Sequence, residues 1–336
     1  MHFDRRRAAA LVVLTFSLGS SVQSSENQTL VYKKKYIMGT VFEIAAYGAS
    51  AERVSAAIDK AFQEIVRIDD LMSDYKPDSA LSTLNRTAHF RTERVPSDLY
   101  RVIEQAVGFS KLSEGKFDIT VAPLVNLWKA ALSGGSIPSP EQQHQAQACV
   151  GYEKIELAPP DQIMFRSSCL RVDLGAIGKG YAVDRSAEML RSSGIQDALI
   201  NAGGSTMLAM GSPPRQKAWL VHLRDPSHKI DPYVMLNDES VSTSEQTASS
   251  LLGRDSAGHI IDPATGRPVT SQFAVSVIAA TGTMSDGLST ALLLLGPGLG
   301  KSLVSRTPDV SAVWISATAQ LEAATNGPQI HFNGKL

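Results

Sequence analysis

Residues 171–184, RVDLGAIGKGYAVD, constrain this chain more than any other stretch. Asp173 ends an apolar run. Gly175, Gly178 and Gly180 follow, with Lys179 between the last two. A helix is expected from Tyr181 to Gly194, with Ala182, Val183, Ala187 and Leu190 on one face and Gly194 as its stop. The order is strand, glycine-rich turn, helix start. Glycines let backbone approach a ligand closely, and free N–H groups at a helix start attract an anion. A phosphate-bearing ligand is therefore one expectation, and plain chain geometry is the other. The stretch is not a Walker A loop, because Lys179 is followed by Gly180 rather than Ser or Thr. It is not a dinucleotide fingerprint either, because the glycines run G-x-x-G-x-G.

The N-terminus has the layout of a targeting segment. Arg5, Arg6 and Arg7 precede an apolar run over 8–18, and Gly19, Ser20 and Ser21 follow. The run is short for a membrane anchor. The expectation is a signal peptide over 1–26, a single domain over 27–336, and a periplasmic protein exported by the general or the twin-arginine route. No cysteine lies near the expected cleavage site, which argues against a lipid anchor there. Beyond this segment no stretch approaches the ~20 apolar residues of a membrane span. The net charge of −1 and 6% aromatic content leave no footprint for nucleic acid. Cys149 and Cys169 either pair, closing a loop of about twenty residues worth roughly 3 kcal/mol, or remain buried thiols; their spacing is unlike a zinc site.

Along the chain, 30–36 and 40–47 read as paired strands around a Met38-Gly39 turn. Ser50 caps a helix to about Met72, with Val54, Ile58, Ala61, Phe62, Ile65 and Ile68 on one face. Tyr75 stands in an exposed Lys-Pro-Asp-Ser loop. A second helix starts at Ser97 and ends at Gly115. Asp118 follows among apolar neighbours, so it is either hydrogen-bonded in a core or turned to a ligand. Strand-like pieces recur at 154–157, 163–166, 170–174, 198–201, 219–224 and 273–280. Residues 240–259 read as a polar stretch leading to His259 and a stiff Asp-Pro…Gly-Arg-Pro turn. A helix opens near Ser285 and ends at Gly296-Pro297-Gly298. On it Asp286 and Thr290 are spaced i, i+4, so their oxygens share a face. Oxygen ligands suit Mg²⁺ or Ca²⁺; an acid at a helix N-terminus is the structural alternative. The periodicities describe mixed α and β, with no repeat or linker dividing the chain.

Taken together, Met38-Gly39-Thr40, the 72–79 loop, 115–121, 173–184, Asn201-Ala202-Gly203-Gly204, 259–268 and 285–296 resemble the ApbE family, the FAD:protein FMN transferases, in the family order and over nearly all of the mature chain. The resemblance implies an α+β fold of mixed, largely antiparallel sheets with packed helices. It implies an extracytoplasmic enzyme that uses FAD as substrate with Mg²⁺, moves FMN onto a Ser or Thr hydroxyl of another protein, and releases AMP. It places Met38, Tyr75, Lys116, Phe117, Asp118, Asp173, Lys179 and Ile261 at the FAD site. It gives Asp286, Thr290, Ala176 and Ser289 to the metal, and it sets His259 where the family carries a histidine proposed to act in catalysis. The partner would be an acceptor flavoprotein, a subunit of a respiratory membrane complex. Asp74 stands where Thr is common, and 242–258 departs from the family's Ser-Gly-rich form.

This set suits pyrophosphate chemistry. A cation at the phosphate oxygens and a lysine offset developing charge. A hydroxyl nucleophile needs a base, for which His259 is the first choice and Asp118 the second. Two other readings use the same residues: an FAD pyrophosphatase, in which water replaces the acceptor hydroxyl, and a periplasmic flavin-binding protein without turnover.

Overall fold

The computed structural model describes residues 28–132, 136–246, 260–269 and 271–332. The expected signal peptide and His259 lie outside these residues.

Eight strands form the main sheet: Thr29–Ile37, Thr40–Gly48, Asp197–Ala202, Thr206–Met210, Ser240–Glu245, Phe273–Ala279, Val310–Ser316 and Leu321–Asn326. Their order in space is their order along the chain, and every neighbouring pair is antiparallel. The sheet is thus one meander, and the rest of the chain is inserted between its neighbours. This is the α+β, largely antiparallel architecture that the resemblance implied.

Side chains alternate across a strand, so each strand feeds two layers. On one face Ile44, Ile200 and Leu208 pack under the helices Ala51–Met72 and Gly178–Ser192, meeting Ile58, Ile65, Tyr181 and Val183. Farther along the same face, Val275, Val277 and Trp314 meet Leu288 and Leu292 of the helix Gly282–Arg306. On the other face Leu199, Met207, Ala209 and Val241 meet Trp219, Val221, Val234 and Ile330. Those residues belong to a three-stranded lobe of Trp219–His222, Pro232–Leu236 and Ile330–Phe332.

The Ala51–Met72 helix forms for the reasons its sequence gives. Ser50 Oγ accepts from Arg53 N at 3.5 Å, and the expected apolar stripe is buried throughout. Each fully buried Ile or Phe of that stripe contributes about 1.5–3 kcal/mol.

Three elements here differ from the expectations. Residues 170–174 form no strand; Arg171 makes a single parallel bridge to Val121. The polar stretch holds a strand, Ser240–Glu245, in the middle of the sheet. The break expected at Gly296 is present (φ 66°, ψ 176°), but helix resumes beyond it and runs to Arg306. At 25 residues with a mean hydropathy of 1.3 over its most apolar window, this last helix is long and apolar enough to cross a membrane, which the sequence reading did not expect; 56% of that window is buried inside the protein.

The central helix begins at Gly178, three residues before its expected start, so Gly178 and Gly180 occupy its first turn. The reason lies in packing. A Cβ on Gly180 would stand 2.1 Å from the Gly282 carbonyl oxygen and 2.8 Å from Asp286 Cβ. A glycine is required where these two helices cross, whether or not a ligand is nearby.

Cys149 and Cys169 form a disulfide, with Cα atoms 5.2 Å apart, which settles the open choice. Cys149 ends the Pro140–Ala148 helix. Two residues earlier on that helix, Gln147 donates to the carbonyls of Pro263 (3.0 Å) and Ala264 (2.8 Å). Replacing both cysteines by serine is expected to cost about 3 kcal/mol of stability, read as a lower midpoint in denaturant. A midpoint equal to wild type under oxidising conditions would remove the crosslink from the account of stability.

Candidate active site

A cleft of ≈ 1800 Å³ lies across one end of the main sheet, between the helical layer and the three-stranded lobe. It gathers residues far apart in sequence. Met38 and Gly39 enter from the first hairpin, whose two turn residues both have positive φ (52° and 72°), the geometry that a tight hairpin turn favours. Tyr75 stands on the loop after the Ala51–Met72 helix. Its hydroxyl accepts from Lys129 Nζ at 2.7 Å, and the same ammonium lies 5.1 Å from its ring centre. Lys116 reaches both oxygens of Asp262 at 3.3 Å. Phe117 is buried edge-on to Phe109.

Asp118 is buried and held by its own chain. Oδ1 accepts from Thr120 N (2.8 Å) and Thr120 Oγ1 (2.7 Å), and Oδ2 accepts from Tyr152 N (2.9 Å). Burial pushes its carboxyl above the usual range, against those hydrogen bonds. These bonds tie the 118–120 turn to residue 152 and leave the carboxylate few free lone pairs. Asp173 likewise turns to backbone, accepting from Gly175 N at 2.7 Å.

Asp286 sits where the layers meet. It is 5% exposed. Oδ2 accepts from Gly180 N at 2.9 Å and Oδ1 from Thr206 Oγ1 at 3.2 Å, while Lys179 Nζ stands 3.9 Å from Oδ1. The anion in the first turn of the central helix is therefore this carboxylate, at least at Gly180. Burial raises the Asp286 carboxyl above its ordinary range, opposed by Lys179, Gly180 N–H and the Thr206 hydroxyl. One lysine at 3.9 Å does not offset the desolvation, so the ionised form would gain from a further cation.

A row of hydroxyls sets this group in place. Ser242 Oγ donates to Thr206 Oγ1 at 3.1 Å, and Ser285 Oγ lies 2.7 Å from Ser242 Oγ and 2.9 Å from Ser240 Oγ. Ser244 Oγ lies 2.8 Å from Ser289 Oγ and 3.3 Å from Thr290 Oγ1. The polarity of the Ser240–Glu245 strand is thus explained: its even-numbered side chains face the oxygen-rich side of the Gly282–Arg306 helix.

Among the sequence-nominated residues, Met38, Tyr75, Lys116, Phe117, Asp118, Asp173, Ala176, Lys179, Ile261, Asp286 and Thr290 all line this one cleft. Ser289 is buried behind its wall. Sequence reasoning missed Lys129, Thr206, Ser242, Ser244 and the lobe residues His222 and Arg224. Strand pairing brings the others close and the Ala122–Leu132 helix brings Lys129, so no local spacing announces them.

Among the described residues no three His, Cys, Asp or Glu side chains are grouped to hold a metal. The donor set is instead one carboxylate with neutral oxygens: Asp286, the Thr290 hydroxyl and the Ala176 segment. All are hard oxygen donors facing the cleft. That set suits Mg²⁺, which is held by one or two carboxylates and completes its shell with water and substrate phosphate.

An α+β scaffold presenting four lysines and a buried carboxylate, backed by a hydroxyl row, to a large cleft defines a class: enzymes that handle a phosphorylated substrate. The comparisons narrow it. The profile of the ApbE family matches residues 38–314. The FAD:protein FMN transferase of Salmonella typhimurium is 30% identical over 279 residues, covering 80% of this chain and 79% of the relative. That of Escherichia coli K12 is 28% identical over 320 residues, covering 91% of each. The solved flavin transferase ApbE from Vibrio cholerae superposes with a TM-score of 0.77 at 26% identity, covering 89% of this chain and 98% of that one. The chain belongs to the ApbE family and is an enzyme of the flavin-transferase class.

Proposed function

We propose that this enzyme transfers FMN from FAD to a Ser or Thr hydroxyl of an acceptor flavoprotein, releasing AMP, with Mg²⁺ at Asp286, Thr290 and Ala176. The acceptor hydroxyl oxygen attacks the FMN-side phosphorus, the pyrophosphate P–O bond breaks, AMP carries away the bridging oxygen, and the hydroxyl proton passes to a base. When bound, Mg²⁺ would neutralise charge on the phosphate oxygens. The chain's own groups do the rest. Lys116, Lys129 and Lys179 present positive charge to the nucleotide. Met38, Tyr75 and Ile261 supply apolar and aromatic contact. The Thr206–Ser242–Ser285 hydroxyls keep Asp286 aimed at the cleft. His259 is the base, because both oxygens of Asp118 are already engaged by Thr120 and the Tyr152 backbone. The observation that carries this reading is the buried, under-compensated Asp286 in the same cleft as Lys179. The N-terminal segment supports export to the periplasm, and the acceptor is then a subunit of a respiratory membrane complex.

The test is mass spectrometry of an acceptor domain incubated with the mature enzyme, FAD and Mg²⁺. The expected result is a gain of one FMN less water, lost on chelation. FMN and AMP in solution without any gain would replace transferase by pyrophosphatase. Intact FAD bound without turnover would replace it by a flavin-binding protein.

A further inference from the structure

The cleft is larger than the nucleotide requires. Pockets for small ligands and cofactors run to about 300–1,000 Å³, and this one measures ≈ 1800 Å³. The residues assigned to FAD and metal all come from the helical layer and the segments beside it. The remaining wall comes from the opposite face of the sheet. Beside apolar Met207 and Val241 it includes the end of the Trp219–His222 strand, the turn that follows, and Glu245.

The rim of that wall is polar and cross-linked. Arg224 Nε pairs with Glu245 Oε2 at 2.8 Å. His222 Nδ1 meets Asp231 Oδ1 at 2.8 Å. The turn between them is knotted around Asp225, whose carboxylate accepts from the backbone of Ser227, Lys229, Ile230 and Asp231. His228 stands exposed at its tip with φ 55°. Alternation along the Ser240–Glu245 strand links the two walls. Ser244 points to Thr290 on the metal side, and its neighbour Glu245 points to Arg224 on the lobe side.

We propose that this lobe wall, with Arg224 and His228 at its centre, is the acceptor subsite: it holds the polypeptide segment that presents the hydroxyl. The inference rests on the transferase reading above. Displacement at phosphorus places the attacking and leaving oxygens roughly in line. With the nucleotide on the helical wall, the hydroxyl enters from the other side. Arg224 and His228 beside Asp231 and Glu245 offer donors and acceptors together, which suits an extended polar segment bound through its backbone and small side chains.

The test uses the full mature enzyme and the acceptor domain that wild type flavinylates. The double variant Arg224→Ala/His228→Ala changes two exposed side chains, and its melting temperature is checked first. The expected result is an acceptor KM raised about tenfold, with FAD affinity, read by flavin fluorescence without acceptor, unchanged within twofold. Arg224→Lys should restore part of the loss. Independently, adding acceptor without FAD should slow hydrogen exchange of amides in 223–231. An unchanged acceptor KM, or FAD affinity falling in step with it, would overturn the subsite. Wild type that fails to flavinylate any acceptor would instead remove the transferase reading, and the subsite with it.

Discussion

Replacing Asp286 by Asn is expected to abolish metal-dependent FMN transfer while leaving the fold intact. The substitution keeps shape and one acceptor oxygen, so Gly180 N–H or Thr206 Oγ1 retains a partner. It removes the charge. Losing cation stabilisation of the phosphates should lower kcat/KM by about 10³-fold, roughly 4 kcal/mol of transition-state energy. Stability should hold or rise, because the wild-type carboxylate is buried and raised in pKa by that burial. Sites that keep a costly buried charge commonly trade stability for function. Two measurements decide the matter: Mg²⁺ titration by calorimetry and thermal unfolding. Unchanged Mg²⁺ affinity with full turnover would take Asp286 out of the metal site. A large drop in melting temperature would recast it as a structural cap on the central helix.

The same residue shows what sequence reasoning reaches. The pairing of Asp286 with Thr290 was legible because i, i+4 spacing on a helix is local. The amphipathic Ala51–Met72 helix and the first hairpin were legible for the same reason, through periods of 3.6 and 2. The glycines of 175–180 were legible as a turn but not in their cause. Gly180 answers to Gly282, over one hundred residues away, and only the folded crossing of the two helices shows it. The Ser240–Glu245 strand was invisible because its polar side chains satisfy one another across a layer boundary, where an apolar alternation was the only signal to look for. His222 and Arg224 carry no motif; the sheet's far face delivers them to the cleft. What the family resemblance added was the grouping of scattered segments, and the cleft places most of them on one surface.

The second large effect is expected at His259. His259→Asn should lower FMN transfer by about 10²–10⁴-fold, the usual range for a positioned general base, with FAD and Mg²⁺ affinity largely kept. Elimination points the same way. Asp118 is the other residue nominated as the base, but Thr120 and Tyr152 hold both its oxygens. Asp286 is committed to Gly180 and Thr206, and lysine ammonium groups carry no lone pair at neutral pH. Ile260 and Ile261, which follow His259 directly, are buried, and Ile261 lines the cleft. The mount is stiff: Gln246 bonds the Ile260 backbone through both its amide atoms, at 2.9 and 3.0 Å. Trp128 Nε1 and Gln147 hold the turn beyond it. An imidazole acts as a base only in its neutral form, so turnover that depends on His259 should rise with pH and then level off. The variant should lose that rise and run at a low, flat rate. Residual activity that keeps the same pH limb would assign the base elsewhere, and Asp118→Asn in the His259→Asn background would then be the variant to measure.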